Sequence, residues 1–217
     1  MPTAPRPMVL LTGFDAFGGQ SVNPSWLAVQ ALDGWRVLGH TVTAVQLPTV
    51  FGAALQGLNA ALETHRPALV ICVGQAGGRR AISLERVAIN VDDAPIADNA
   101  GARPVDTPVL HGAPAAYFTG LPIKAMLSAL QKAGVPAEVS QTAGTFVCNH
   151  LFFGLMHALH TQRALRHTRG GFVHVPWLPE QGSPSMALDD IARGLRLAVR
   201  CALKVQKDDA LAAGATH

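Results

Sequence analysis

Two uninterrupted apolar runs, Met8-Val-Leu-Leu11 and Ala68-Leu-Val-Ile-Cys-Val73, constrain the fold of this chain more than any other feature. Runs without an alternating polar row belong to strands covered on both faces, as in a parallel sheet flanked by helices. Both end in glycine-containing loops, Thr12-Gly-Phe-Asp-Ala-Phe-Gly-Gly19 and Gly74-Gln-Ala-Gly-Gly78. Between them, Asn23-Pro24 opens a helix to about Leu32, with Asn as N-cap and Pro at the first helical position. Thr41 to Leu47 alternates as a strand, and Thr49 to about Glu63 has helical spacing. Buried strands alternating with helices predict an α/β fold around a largely parallel sheet.

Composition narrows the class. With 217 residues, 49% hydrophobic and 14% charged, the chain has the makings of one compact domain and not of a disordered one. The net charge is +3, but the basic residues are dispersed and there is a single Tyr, which argues against a nucleic-acid-binding face. No apolar run approaches the length of a membrane span, and the first residues lack the apolar core of a signal peptide. Cys72, Cys148 and Cys201 are odd in number, widely spaced and without a CxxC pair. That usage fits a reducing cytoplasm and no disulfide framework. Neither a linker nor a repeat divides residues 1–217, and segments 1–7 and 208–217 are expected to be flexible tails.

Further along, Ile82 to Val91 is a strand candidate in which Glu85 shares a row with Val87, Ile89 and Val91. On the core side Glu85 would need a partner; the alternative is a solvated edge charge near Arg86. Asp92 to about His111 is a long Asp-, Pro- and Gly-rich loop of the kind that forms lids or binding segments. Pro122 opens a helix through about Lys132, and Ala137 to Gln141 leads into the next turn. Gly170 to Pro179 is a short strand broken by two prolines, and Ser183-Pro184 caps a last helix striped with Leu188, Ile191, Leu195, Ala198 and Ala202.

Chemistry concentrates in Thr142 to Leu159, a turn followed by a helix with Leu151, Phe152, Leu155, Met156 and Leu159 on one face. Cys148 falls in or just before the first helical turn, where unpaired N–H groups and the macrodipole lower a thiol pKa. The alternative is a buried cysteine acting as a small hydrophobe, the reading that fits Cys72 and Cys201. His174 stands at a strand end before Pro176, either as a satisfied core histidine or as the base for a thiol nucleophile. Glu85 is then the inward carboxylate that would fix the imidazole tautomer. Two rival functions remain open. The glycine loops suggest a non-catalytic small-molecule or nucleotide-binding module, although neither G-x-G-x-x-G nor a P-loop Lys-Ser/Thr is present. His150, His157 and His160 suggest a metal-dependent hydrolase, although HExxH is missing and the helix holds no carboxylate.

Five segments taken together carry a resemblance. Gly13-Phe-Asp-Ala-Phe-Gly-Gly19 with Asn23-Pro24-Ser25, Gly74 to Gly78, Glu85 to Val91, Thr145-Phe-Val-Cys-Asn-His150 and His174-Val-Pro176 resemble the pyroglutamyl peptidase I family of cysteine peptidases, in order from about Val9 to Val205. The resemblance implies a single-domain three-layer α/β/α sandwich with a twisted, mixed central sheet, assembled as a homotetramer in the cytoplasm. It implies a catalytic triad of Glu85, Cys148 and His174, and hydrolysis of the N-terminal pyroglutamyl residue from peptides without a cofactor or metal. Phe14 and Phe17 match the two phenylalanines that hold the pyrrolidone ring; Thr49, Gln75, Ile96, Phe146 and Val147 match other positions around that pocket. Two positions depart from the pattern: Pro95 replaces the usual Arg, leaving Arg79 or Arg80 to supply any role of that charge, and Leu151 replaces a common Met.

Overall fold

The computed structural model describes residues 7–214. Strand β1 (Met8–Phe14) leads into α1 (Pro24–Gln30), β2 (Arg36–Val37), β3 (His40–Leu47), α2 (Ala53–His65) and β4 (Leu69–Gln75). There follow β5 (Ile82–Glu85), β6 (Val87–Ile89), β7 (Ala116–Phe118), α3 (Ile123–Lys132) and β8 (Ala137–Ser140). The chain closes with α4 (Val147–Thr161), a 3-10 turn at Arg163–Leu165, β9 (Arg169–Val175) and α5 (Leu188–Lys204).

Seven strands form one mixed sheet in the order β2-β3-β1-β4-β9-β5-β8. The four central strands β3, β1, β4 and β9 are parallel, whereas β2 and β5 run antiparallel to their neighbours β3 and β9. The residues of β1 after Met8 and those of β4 before Gln75 are all buried. One apolar layer joins the sheet to α1, α3 and α5; a second, rich in Phe14, Phe152, Phe153 and Phe172, joins it to α2 and α4. The result is a three-layer α/β/α sandwich, the architecture implied by the resemblance.

Local chemistry favours the starts of α1 and α5. The Asn23 side chain accepts the Ser25 N–H, and Pro24 opens α1. Asp189 and Asp190 sit in the first turn of α5, complementing its dipole. That helix starts at Leu188, so Ser183-Pro184 lies in the preceding loop and does not cap it.

Three further expectations differ from the structure. The segment from Ile82 to Val91 is not one strand: the Arg86 N–H goes to the Ser140 carbonyl, and its carbonyl takes the Thr119 N–H. Chain direction changes there, and β6 pairs with β7 in a separate two-stranded sheet. A common face for Glu85, Val87, Ile89 and Val91 is therefore lost. Helix α2 begins at Ala53 and not at Thr49, because side chains from elsewhere capture the N–H groups of Thr49, Phe51 and Gly52 (Asp15, Asp98 and His150). Gly52 also takes φ of 71°, a conformation that glycine adopts without strain. Finally, part of the expected C-terminal tail is docked. Asp208 accepts the Lys124 and Ala125 N–H groups at the start of α3, and Arg86 donates to the Ala213 carbonyl. The other expected tail, residues 1–7, lies outside the described residues except for Pro7, whose carbonyl accepts the Thr41 N–H.

Candidate active site

In open α/β sheets, sites gather beyond the C-terminal strand ends. Here β4 and β9 end side by side, with Gly74 opposite His174 and Gln75 opposite Val175. Helix α4 starts above them, and Cys148 is its second residue. A Cβ on Gly74 would stand 2.8 Å from Cys148 Sγ and 2.8 Å from the Phe172 ring. Gly74 thus makes room for the thiol over the strand adjacent to His174, and that packing requirement accounts for the glycine.

His174 is buried at 4% exposure, against the Phe172 ring at 4.8 Å. Glu85, at the end of neighbouring β5, is 0% exposed; its Oε1 lies 2.7 Å from His174 Nδ1 and 2.7 Å from Arg79 Nη1. A solvated edge position is thereby excluded. Burial alone pushes the Glu85 carboxyl up, but the hydrogen bond and charge of His174, with help from Arg79, hold it below the ordinary carboxylate value. An ionised carboxylate only accepts, so the proton sits on Nδ1 and His174 Nε2 is left as the base. Burial and the Arg79 charge depress the imidazole pKa more than Glu85 raises it.

Two opposing influences act on the thiol. Burial, followed by the Glu85 charge, pushes Cys148 up to about 12 against the pull of Arg79. Burial therefore acts on the thiol in the direction opposite to the helix start.

Cys148 opens onto a cavity of about 220 Å³ lined by Phe14, Phe17, Asn23, Thr49, Gln75, Gly77, Phe146 and Trp177. Phe17 and Phe146 pack at 5.2 Å, and Phe51 backs Phe146 at 5.3 Å. Five residues anticipated for a substrate pocket (Phe14, Phe17, Thr49, Gln75 and Phe146) therefore meet around one space. Val147 is wholly buried in the α2–α4 layer, as is Leu151. Ile96 lies on the 92–115 loop at 51% exposure and is not part of the lining.

Other contributors join them, of which only Arg79 is named from the sequence, as a stand-in for the charge missing at Pro95. Arg79 clamps the acid and also reaches the Thr142 carbonyl in the turn before the nucleophile; Arg80 is exposed. Asn149 secures the start of α4 by bonding the Ile89 N–H and the Ile89 and Val91 carbonyls. Trp177 reaches the cavity edge by packing on Gly77, where a Cβ would come within 2.2 Å of the indole.

The rival sites separate. His150 Nδ1 bonds Asp92 and its Nε2 accepts the Gly52 N–H, His157 bonds Tyr117, and His160 bonds the Met156 carbonyl. Among the described residues no three His, Cys, Asp or Glu side chains converge as a metal cage. Gly74 and Gly77 make room for Cys148 and Trp177, so packing accounts for both glycines.

A thiol at a helix start, over the strand paired with the one that carries an imidazole bonded to a buried carboxylate, is the chemistry of a cysteine hydrolase on an α/β scaffold. The pyroglutamyl peptidase family model matches residues 7–205. The pyrrolidone-carboxylate peptidase of Cupriavidus taiwanensis is 58% identical over 216 residues, spanning 97% of this chain and 100% of that protein. The Klebsiella pneumoniae protein of the same name is 57% identical over 214 residues, spanning 96% and 99%. The crystal structure of pyroglutamyl peptidase I from Bacillus amyloliquefaciens aligns with a TM-score of 0.93 at 48% identity, covering 95% of this chain and 100% of that one. A mutant pyrrolidone carboxyl peptidase from Pyrococcus furiosus aligns with a TM-score of 0.87 at 39% identity, covering 91% and 98%. The chain belongs to the pyroglutamyl peptidase family.

Proposed function

We propose that the protein is a cysteine exopeptidase that hydrolyses the N-terminal L-pyroglutamyl residue from peptides through a thioester on Cys148. The observation that carries this reading is the small aromatic-walled cavity into which the thiol opens. Pyroglutamate is a flat, uncharged lactam, suited to walls of Phe14, Phe17 and Phe146 with polar groups from Thr49 and Gln75 at the edges. Without an ammonium on the substrate, no acidic residue is needed in the pocket.

In this mechanism His174 Nε2 takes the Cys148 proton as sulfur attacks the pyroglutamyl carbonyl carbon. A thiol raised by burial gives its proton to the imidazole as it attacks, so proton transfer and attack are coupled. N–H groups in the first turn of α4 have no intrahelical acceptor and can face the oxyanion. The tetrahedral intermediate collapses with cleavage of the C–N bond, and His174 returns the proton to the departing amine. Water, deprotonated by the same imidazole, then attacks the thioester and releases pyroglutamate. Glu85 keeps the tautomer and stabilises the imidazolium, while Arg79 holds Glu85 charged. The scheme requires no cofactor or metal.

We also propose cytoplasmic residence and a homotetramer. Three free cysteines support the first, and no helix among the described residues is long and apolar enough to cross a membrane. Phe118 at 70% and Val105 at 65% exposure support the second, because they leave large apolar side chains to be covered.

A pyroglutamyl anilide is the test substrate. Hydrolysis is expected to cease after iodoacetamide treatment and to survive a chelator. The reverse sensitivity would establish a metal-dependent hydrolase, and nucleotide binding without hydrolysis would establish a binding module.

A further inference from the structure

Cavity shape accounts for holding a five-membered ring, but not for selecting a lactam. A prolyl ring has nearly the same outline. It differs in carrying a methylene where pyroglutamate carries its ring carbonyl, and in a protonated nitrogen. Selection therefore needs a donor with a fixed orientation, and a glutamine amide can present either end.

The structure resolves which end Gln75 presents. The Leu178 N–H donates to Gln181 Oε1 at 3.0 Å. With its oxygen committed, Gln181 turns its Nε2 towards the Val22 carbonyl at 3.3 Å and Gln75 Oε1 at 3.2 Å. Both of those partners are oxygens, so the orientation of Gln181 is chemically forced. Gln75 Oε1 accepts from Gln181 in turn, which leaves the amide NH2 as the donor that Gln75 can offer the cavity it lines. A second donor lies at the same cavity: Trp177 Nε1 is buried without a partner and sits where a Cβ on Gly77 would approach it at 2.8 Å. Buried unpaired donors are rare, and one beside a binding cavity is positioned to meet an acceptor on the ligand.

We propose that Gln181, itself outside the cavity lining, is a specificity-positioning residue. It sets Gln75 as a donor to the ring carbonyl of the substrate, with Trp177 Nε1 as a further donor on the same wall. The polarity is relayed from the backbone of Leu178 through two amides to the ligand. This inference rests on the pyroglutamyl reading above, and it assigns the means by which lactam and proline are told apart.

Gln181→Met removes the donor that pins Gln75 and frees its amide to turn. KM for a pyroglutamyl anilide is expected to rise about tenfold, the worth of one neutral hydrogen bond, with kcat within about twofold of the parent. Gln181→Glu keeps an acceptor for Leu178 but offers only oxygen to Gln75. It should invert the Gln75 amide and raise KM about a hundredfold by facing carbonyl with carbonyl. Inhibition by 2-pyrrolidone and by γ-butyrolactone, which retains the ring carbonyl but has no N–H, should weaken by equal factors in each variant. Unchanged KM in Gln181→Glu, loss confined to kcat, or weakening of 2-pyrrolidone alone would each overturn the assignment. Should Gln181→Met not fold, Gln181→Glu retains the Leu178 contact and decides the matter. Parent enzyme that cleaves no pyroglutamyl substrate would instead overturn the functional reading, a different outcome from an altered ratio between variant and parent.

Discussion

Cys148→Ala is expected to reduce hydrolysis of a pyroglutamyl anilide by about 10⁵- to 10⁶-fold, the loss that follows removal of a covalent nucleophile. Stability should hardly change. The residue is only partly buried, and its sulfur fills a small space above Gly74, so truncation costs about 1 kcal/mol or less. The variant should still bind 2-pyrrolidone, since the phenylalanines and Gln75 are untouched. Retained turnover would remove Cys148 from the mechanism, and an unfolded variant would assign it a packing role. Thermal unfolding beside the rate assay separates the two.

The second large effect is expected at Glu85. Glutamine has the same shape, and its Oε1 can still accept from His174 Nδ1 and Arg79 Nη1, so the fold and KM should be largely preserved. What disappears is the charge that stabilises the imidazolium formed during attack. A kcat lower by about 10²- to 10⁴-fold is expected, in the range seen when a triad carboxylate becomes an amide. The pH profile gives an independent check. Glu85 raises the His174 pKa against burial, so removing its charge lowers that pKa further. Activity is lost on the acid side as His174 protonates; the acid limb of kcat/KM should therefore move to lower pH in Glu85→Gln. A limb that stays in place, or moves upward, would show that Glu85 does not act on the imidazole. A variant that fails to fold would make the buried Glu85–Arg79 pair structural first.

The sequence was most legible where one physical rule dominates. Apolar runs in β1 and β4 could only be doubly covered strands, and that fixed the layered α/β class. Cys148, His174 and Glu85 stood out because each is chemically active at the end of an element where a core residue would be expected. Legibility fell where partners come from far along the chain. The break at Arg86 depends on Ser140 and Thr119, and the delayed start of α2 depends on Asp15, Asp98 and His150. Neither is encoded in local periodicity. The influences on the thiol are only half visible for a similar reason: a helix start is visible in sequence, whereas the burial that opposes it is not. Arg79, Trp177 and Gln181 sit in polar, proline- or glycine-containing loops where nothing local distinguishes them from solvated residues. Asp208 belongs to a segment whose composition suggests fraying, yet it meets the unpaired N–H groups at the start of α3.

The pocket is expected to deliver a pyroglutamyl carbonyl to Cys148 and to no other thiol. A pyroglutamyl chloromethyl ketone tests it directly, with Cys72 and Cys201 as internal controls. Cys72 is 0% exposed with its thiol pushed up to about 12 by burial, and Cys201 is half-buried with its thiol raised by burial and by Asp209 and Asp208. Peptide mapping of the inactivated enzyme should show one alkyl group per chain, on Cys148, with labelling slowed by 2-pyrrolidone. Inactivation with the label on Cys72 or Cys201, or full labelling of Cys148 with activity retained, would contradict the account.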